Sequence, residues 1–475
     1  MTSIAPAIGI PGFDASAIAT VSGSSSVDAA LSSNDVDERL SATGFASFGV
    51  SSSGIASSAA DLADFSLFPP ALPLDGALDP PTAEQLAQFA PQLRVATIAE
   101  TAQLLGDGRL DGLAVADFTR VLAGPYATMM LADLGADVVK IERPGAGDDT
   151  RTWGPPFTAD GIATYFASVN RNKKSVTLDL RDPDDLARAR EIALQADVVI
   201  ENFRAGTMER LGLGYDQLRS EKPDLVYCSI TGFGRDGGAA LPGYDLLVQA
   251  VGGLMSVTGS GPDEPVKVGV AVVDVLAGLH AGLGILAALR HRDRTGQGQR
   301  VDVDLFSASL SSLVNQASGF LNAGVVPAPM GNRHPSITPY QVFSTATRPI
   351  ALAVGNNGQF EKAVEVLGRP ELAADERFTS NSARVAHRDE LVDEITTVLV
   401  TKDADHWYAE FTAAGVPAGP INSVAEAFDF ADELGIDVRA STPDSAIVTT
   451  ANPIRMSGTP VTYRSGPPEL GADNN

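Results

Sequence analysis

From Leu113 onward the chain alternates short apolar, β-branched runs with helix-like stretches, and this alternation restricts its fold more than any other feature. LAVADFT reads as a buried strand, RVLAGP as a turn, YATMMLADLG as a helix closed by Gly135, and ADVVKIE as a second strand. The pattern continues through a strand from Ser175 to Leu180, the helix DDLARAREIALQA, the strand DVVIENF, the helix TMERLG and the strand DLVYCSITGFG. Strands and helices of these lengths in alternation predict an α/β protein with a parallel sheet covered on both faces. LPGYDLLVQAVGGLMSVTGS comes next as a helix with a Gly-rich exit, and RVDVDLFSASL as a strand and a helix. From about Met330 the texture changes. GNRHPSITPYQVFST is a Gly/Pro-punctuated loop leading to a strand, PIALAVGNNGQFEKAVEVLG supplies a strand and a helix, and charged helices run from Glu371 to Val400. This predicts a smaller α/β module inserted into the first, spanning 326–412 after a large-domain part at 113–325, with a return and a β-rich tail at 413–475.

A chain of 475 residues can bury a large core and predicts two or more domains. Its net charge of −25 leaves no broad basic face, so no nucleic-acid partner is expected. The single cysteine, Cys228 in LVYCSI, forms no internal disulfide and fits a reducing cytoplasm. Val268 to Leu289 is long enough to span a membrane, but Asp274 and His280 interrupt it and Gly is frequent. A helix buried in a core is expected there, and no membrane. Residues 1–112 form a Ser/Ala/Gly-rich extension in which acids outnumber bases, and the first lysine of the chain is Lys140. One or two short helices are expected at 80–105, and MTSIAPAIGI lacks the basic start of a signal peptide.

Several residues invite a chemical reading. The first β-α-β unit ends on an acid, Glu142, as dinucleotide sites do, but its turn holds only Gly124 followed by Pro125 in place of G-x-G-x-x-G. A conventional NAD site is therefore not expected. Arg171, Lys173 and Lys174 cluster before a strand, either as a solvated turn or as a seat for a phosphate-bearing ligand. Tyr244 and Asp245 open a helix, where capping and packing are the ordinary roles. Asp274 stands where the β-branched segment Val268 to Val273 gives way to a helix. As an N-cap it would accept the first N–H groups of that helix; as a nucleophile it would be kept ionised by the same groups and attack a carbonyl. The two readings differ in whether one of its oxygens remains free.

Taken together, DFTRVLAGPYATMMLADLGADVVKIERPGAGDDTR, NRNKKSVTLDL, ENFRAGTMERLG, GYDLLVQAVGGLMSVTG, VGVAVVDVLAGLHAGLGILAAL with TGQGQ, GNRHPSITPY and AGVPAGPINS, in this order, resemble the family III CoA-transferases, the CaiB/BaiF family. The resemblance covers about Leu113 to Gly471. It implies a Rossmann-like large domain with an inserted smaller domain, an interlocked homodimer, and transfer of coenzyme A from an acyl thioester to a free carboxylic acid. Coenzyme A would be a co-substrate, with no tightly bound cofactor and no metal. The family nucleophile matches Asp274. Coenzyme A contacts would fall on Leu122, Ala123, Arg143, Leu178, Asp179, Leu180, Arg181, Asn202, Phe203, Arg204, Arg210, Tyr244 and Asp245. An aspartate nucleophile forms an anhydride that keeps the thioester's energy, so water must be excluded, and the Gly-rich loops near Gly259 and Gly331 would close over the site. The alternative within the family is a 2-methylacyl-CoA racemase, whose histidine base corresponds to Tyr244, a poor base near neutral pH. His280, six residues past Asp274, faces another side of the helix and reads as a core or interface histidine. A further alternative is a non-catalytic member, since the chain departs from the family pattern in its long leader and short tail.

Overall fold

The computed structural model describes residues 110–261 and 263–474, which belong to one compact unit. Most of the N-terminal extension, with the helices expected at 80–105, lies outside the described residues.

Among the described residues a six-stranded parallel sheet forms the frame. Its strands are β1 (Ala114–Asp117), β2 (Asp137–Glu142), β3 (Lys173–Thr177), β4 (Val198–Glu201), β5 (Val226–Thr231) and β6 (Arg300–Asp304). They lie in the order β3-β2-β1-β4-β5-β6, so the winding reverses between β1 and β4. Ligands of such sheets bind outside the carboxyl ends of the strands at that reversal. The helices of seven or more residues in this part of the chain are α1 (Ala123–Asp133), α2 (Pro183–Gln195), α3 (Asp245–Val251), α4 (Val272–Thr295), α5 (Leu305–Ser312) and α6 (Val314–Ala323), the last with no buried residue. One apolar core joins α1, α4 and α5 to a sheet face through Ala127, Leu131, Val138, Ile200, Ala277 and Ile285. The opposite face carries α2, with Ala189 and Ala193 against Ala116, Ile141, Val176 and Val199. Strands buried on both faces need apolar residues at nearly every position, which is why they stand out in the sequence as continuous runs.

Three local expectations change. The turn read in RVLAGP is shorter than expected, because α1 begins at Ala123 and takes in Gly124 and Pro125; a proline costs nothing in a first turn, where its missing N–H has no helical partner. Val268 to Val273 is not a strand. The Val268 N–H donates to Gln249 Oε1 at 2.9 Å and the Val273 N–H to Asp245 Oδ1 at 2.8 Å, so side chains satisfy this backbone in place of a ladder. The apolar run of α4 is buried on one face only: Val273, Ala277, Ala281 and Ile285 point into the core, while Leu279, Leu283 and Leu286 are exposed.

A second core surrounds an antiparallel sheet of β7 (Tyr340–Phe343), β8 (Ile350–Ala353) and β9 (Ala418–Pro420), in that order. Phe343, Ile350 and Leu352 pack there against Phe360 of α7 (Asn357–Val366), Leu391 and Ile395 of α8 (Arg388–Leu399), and Trp407 and Phe411 of α9 (Ala404–Ala413). β9 carries this sheet past the boundary expected at residue 412. After α10 (Val424–Glu433), β10 (Arg439–Thr442) and β11 (Ser445–Thr450) form a hairpin. The tail then returns to the parallel sheet along β3. The Ser175 N–H donates to Asp473 Oδ2 at 2.9 Å, the Asp473 N–H to the Ser175 carbonyl at 2.9 Å, and the Thr177 N–H to Asn474 Oδ1 at 2.7 Å. These contacts cover an edge whose backbone groups would otherwise stand unpaired.

The cation cluster before β3 is not a phosphate seat. Arg171 is 2% exposed and grips Asp133 with Nε at 2.9 Å and Nη2 at 2.6 Å, while its Nη1 reaches the Thr450 carbonyl at 3.0 Å. Lys173 is buried against Asp117 at 3.3 Å and Asn170 at 2.9 Å, which leaves only Lys174 of the three in solvent. Arg171 thus ties the end of α1 to the β10–β11 hairpin. Removing one partner of such a pair strands the other charge in the interior, so Arg171→Ala is expected to lose about 3–5 kcal/mol of stability, read from the urea midpoint.

Candidate active site

The start of α4 decides the state of Asp274. The cap position is held by Ala271, which has no side-chain oxygen to offer, and Asp274 lies three residues further on in the first turn. Its carboxylate does not cap the helix. Asp245, buried at the start of α3, does so: its Oδ1 accepts the Val273 N–H at 2.8 Å and the Asp274 N–H at 3.3 Å, and its Oδ2 accepts Gln249 Nε2 at 2.6 Å. The capping role open to Asp274 therefore belongs to Asp245. No donor among the described residues reaches the Asp274 carboxylate oxygens, and the half-buried side chain lines a cavity. Burial, and then the negative charge of Asp245, push its pKa up to about 7.

That cavity, of about 260 Å³, opens at the carboxyl ends of β1, β4 and β5. Leu122, Ala123, Asn202, Phe203, Arg204, Tyr244 and Asp274, all expected from the sequence, share its wall with Arg120, Val121 and the glycine-rich stretch after β5. A second hollow of about 370 Å³ lies at the carboxyl ends of β1, β2 and β3, lined by the expected Arg143, Leu178, Asp179, Leu180, Arg181 and Phe203, and by Arg120, Lys140 and Asp148. Arg120 and Phe203 line both, with the guanidinium 5.2 Å from the centre of the ring, so the two hollows flank one pair of side chains at the winding reversal. Arg210 lines neither hollow. It is exposed and donates to Thr207 Oγ1 at 3.1 Å. Asp245 stands behind the wall as the cap of α4. Tyr244 is 63% exposed. Arg181 is exposed and forked onto Asp179 at 2.9 and 2.8 Å.

Other acids and bases near the crevice are committed to structure. Glu142 is buried, accepts Arg151 at 2.8 and 2.6 Å and Ser175 at 2.6 Å, and so has no oxygen to offer a ribose. Lys140 donates to Asp148 at 2.9 Å and to the Thr119 carbonyl at 2.8 Å in full burial. Burial alone would raise Asp148, but the Lys140 charge and the Thr150 N–H outweigh it and hold the carboxyl below its usual range. His280 is exposed, with Nδ1 at 2.7 Å from the Leu276 carbonyl. Sequence reasoning missed Tyr165, whose hydroxyl is pushed up to about 12 by burial and then by Asp274, Asp245 and Asp148, and which packs edge-on to Trp153 at 5.4 Å.

Two backbone features fix the wall beside Asp274. Val121 has φ of 70°, a left-handed conformation that costs a β-branched residue about 1–3 kcal/mol. A Cβ added at Gly278, one turn after Asp274 on the same face of α4, would meet the Ala123 carbonyl oxygen at 2.5 Å, so α1 and α4 touch backbone to backbone. The Gly331 N–H donates to the Gly259 carbonyl at 2.9 Å, so the two loops expected to close over the site are joined to each other, but neither glycine lines either hollow.

The family model for CoA-transferase family III matches residues 110–474. The chain belongs to CoA-transferase family III. It is similar to the succinate–glutarate CoA-transferase of Agrobacterium fabrum, 43% identical over 371 residues that cover 76% of this chain and 93% of that protein. It is 40% identical to the acetyl-CoA:oxalate CoA-transferase of Acetobacter aceti over 376 residues, 78% of this chain and 96% of that one. Among solved structures it resembles a CaiB/BaiF family protein from Brucella suis with a TM-score of 0.70 and 43% identity, covering 77% of this chain and 97% of that one. In this family III CoA-transferase the two hollows lie side by side at the sheet's winding reversal.

The state of Asp274 has a cost that can be measured. Its folded pKa lies above the ordinary 3.8, so ionising it takes stability away as pH rises from about 4 to about 7, and the loss is complete above that range. Asp274→Asn is expected to be more stable than the parent by about 1–2 kcal/mol at pH 8, after allowing for solvent screening of a half-buried group, and no more stable at pH 4. Urea titrations at the two pH values check this.

Proposed function

We propose that this CoA-transferase moves coenzyme A from an acyl-CoA to a free carboxylic acid through Asp274. The observation that carries the reading is the unengaged carboxylate at the start of α4, freed because Asp245 takes the helix N–H groups. One oxygen of Asp274 attacks the thioester carbonyl; the C–S bond breaks and the CoA thiolate leaves, giving a mixed anhydride. The thiolate then attacks the aspartyl carbonyl, which releases the donor acid as its carboxylate and leaves an aspartyl-CoA thioester. The acceptor carboxylate attacks that thioester and the two steps run in reverse, returning Asp274 and the new acyl-CoA. No proton moves in the balance. A carboxylate of raised pKa is more basic than an ordinary aspartate and correspondingly more nucleophilic once ionised.

Arg120, Arg143, Arg181 and Arg204 are the exposed cations that line the two hollows, and they would meet the phosphates of coenzyme A on a chain of net charge −25. The relatives named for succinate, glutarate and oxalate support short dicarboxylic acids as the substrate class. The exposed leucines on α4, together with Phe320 and Leu321 of α6, support a second copy of the chain as the cover for this apolar face, in keeping with an interlocked dimer. Racemisation is less well supported, because the position of its base holds a tyrosine.

Hydroxylamine added after a donor acyl-CoA should trap a hydroxamate at Asp274, seen by mass spectrometry, and Asp274→Ala should lose transfer by about 10³-fold or more. Normal turnover by Asp274→Asn would sink the mechanism, and deuterium uptake at the α-carbon without trapping would favour the racemase. The kcat/KM for transfer should climb with pH through about 7 and level off above it, since the free enzyme must hold Asp274 ionised. Light scattering should give the mass of two chains; the mass of one would remove the dimer.

A further inference from the structure

We propose that Asn202, together with Asp148, is a positioning residue whose task is to hold the strained turn Arg120–Val121–Leu122 in the shape that aligns the cavity wall with Asp274. The inference rests on Asp274 as the reacting group. Valine is among the residues least suited to a φ of 70°, and nothing in its own side chain stabilises that conformation. It persists because neighbouring backbone groups are gripped from outside. The Arg120 N–H donates to Asn202 Oδ1 at 2.9 Å, and Asn202 Nδ2 donates back to the Arg120 carbonyl at 2.7 Å. The Val121 N–H donates to the Asp148 carboxylate, 3.3 and 3.2 Å from its two oxygens, and Lys140 pins both Asp148 and the Thr119 carbonyl. The clamp thus gathers side chains from β2, from the loop after β2 and from the residue after β4.

The turn matters because it sets the start of α1. Leu122 precedes that helix, and the Ala123 carbonyl rests on Gly278, one turn along α4 from Asp274. A turn that relaxed toward negative φ would move the start of α1 within the wall that faces the nucleophile. Asn202 was expected to touch coenzyme A directly, and it lines the cavity, but both polar atoms of its amide already bond the Arg120 backbone. The influence proposed for it is through backbone shape, which the KM against kcat split below separates from direct contact.

A double-mutant cycle on the full chain tests this. Asn202→Ala should lower kcat about ten- to a hundredfold, the size expected of a small misplacement of reacting groups, with KM for the acyl-CoA changed less than about threefold. In a Val121→Gly background the same substitution should cost less than about threefold, because glycine adopts the left-handed conformation without outside support. Asp148→Asn should show the same dependence on background. If Asn202→Ala does not fold, Asn202→Asp, which keeps the acceptor for the Arg120 N–H, takes its place. An equal loss in both backgrounds, or a raised KM with kcat intact, would overturn the clamp. Should Asp274→Ala keep full turnover, the nucleophile assignment fails, while the cycle still judges the clamp by whatever turnover remains.

Discussion

The carboxylate of Asp245 lying across the first N–H groups of α4 is the contact on which the site depends. A helix that begins inside a protein must have those groups answered, and the nearest acid in the chain is Asp274 itself. Had Asp274 bent back to answer them, its oxygens would be occupied and its charge stabilised, which makes an acid stronger and a nucleophile weaker. Asp245 comes from another helix and takes that role, while its own charge adds to burial in making Asp274 harder to ionise. One residue both vacates the reactive oxygen and tunes its basicity.

A division of charges obeys the same logic at the scale of the sheet. Beneath the carboxyl ends of β1, β2 and β3, Lys140 with Asp148, Lys173 with Asp117, and Arg151 with Glu142 are paired and largely dry. These pairs answer backbone groups and fix loops, and their charges are spent on one another. The cations that remain at the surface of the crevice, Arg120, Arg143, Arg181 and Arg204, are either free or lightly paired with Asp149 or Asp179. An acidic chain can in this way present a local positive rim, because its interior ion pairs do not compete for it.

Much of the frame was legible because strands buried on both faces leave continuous apolar runs, as in DVVKIE, VVIE and VYCSIT. Legibility failed where the deciding partner was distant in sequence. Arg171 looks solvated because no acid adjoins it in the chain, yet its partner Asp133 lies 38 residues away at the end of α1. Val268 to Val273 looks like a strand because β-branching is a local signal, while the side chains that satisfy its backbone belong to Gln249 and Asp245. Asp274 stands out as a lone carboxylate in an apolar run, but the choice between cap and nucleophile turns on Asp245, 29 residues upstream. Nothing in the letters TRVLAG announces a left-handed valine, since its conformation is imposed by Asn202 and Asp148 from elsewhere in the fold.

The bare contact between Gly278 and the Ala123 carbonyl has a mechanical consequence. Two helices that meet with no side chain between them cannot slide without a direct collision of main chains, so the floor of the crevice behaves as a single rigid block. Whatever motion admits a thioester and afterwards shuts out water must then come from parts of the crevice wall other than this contact. Alignment is held at this contact, and entry is left to the rest of the wall.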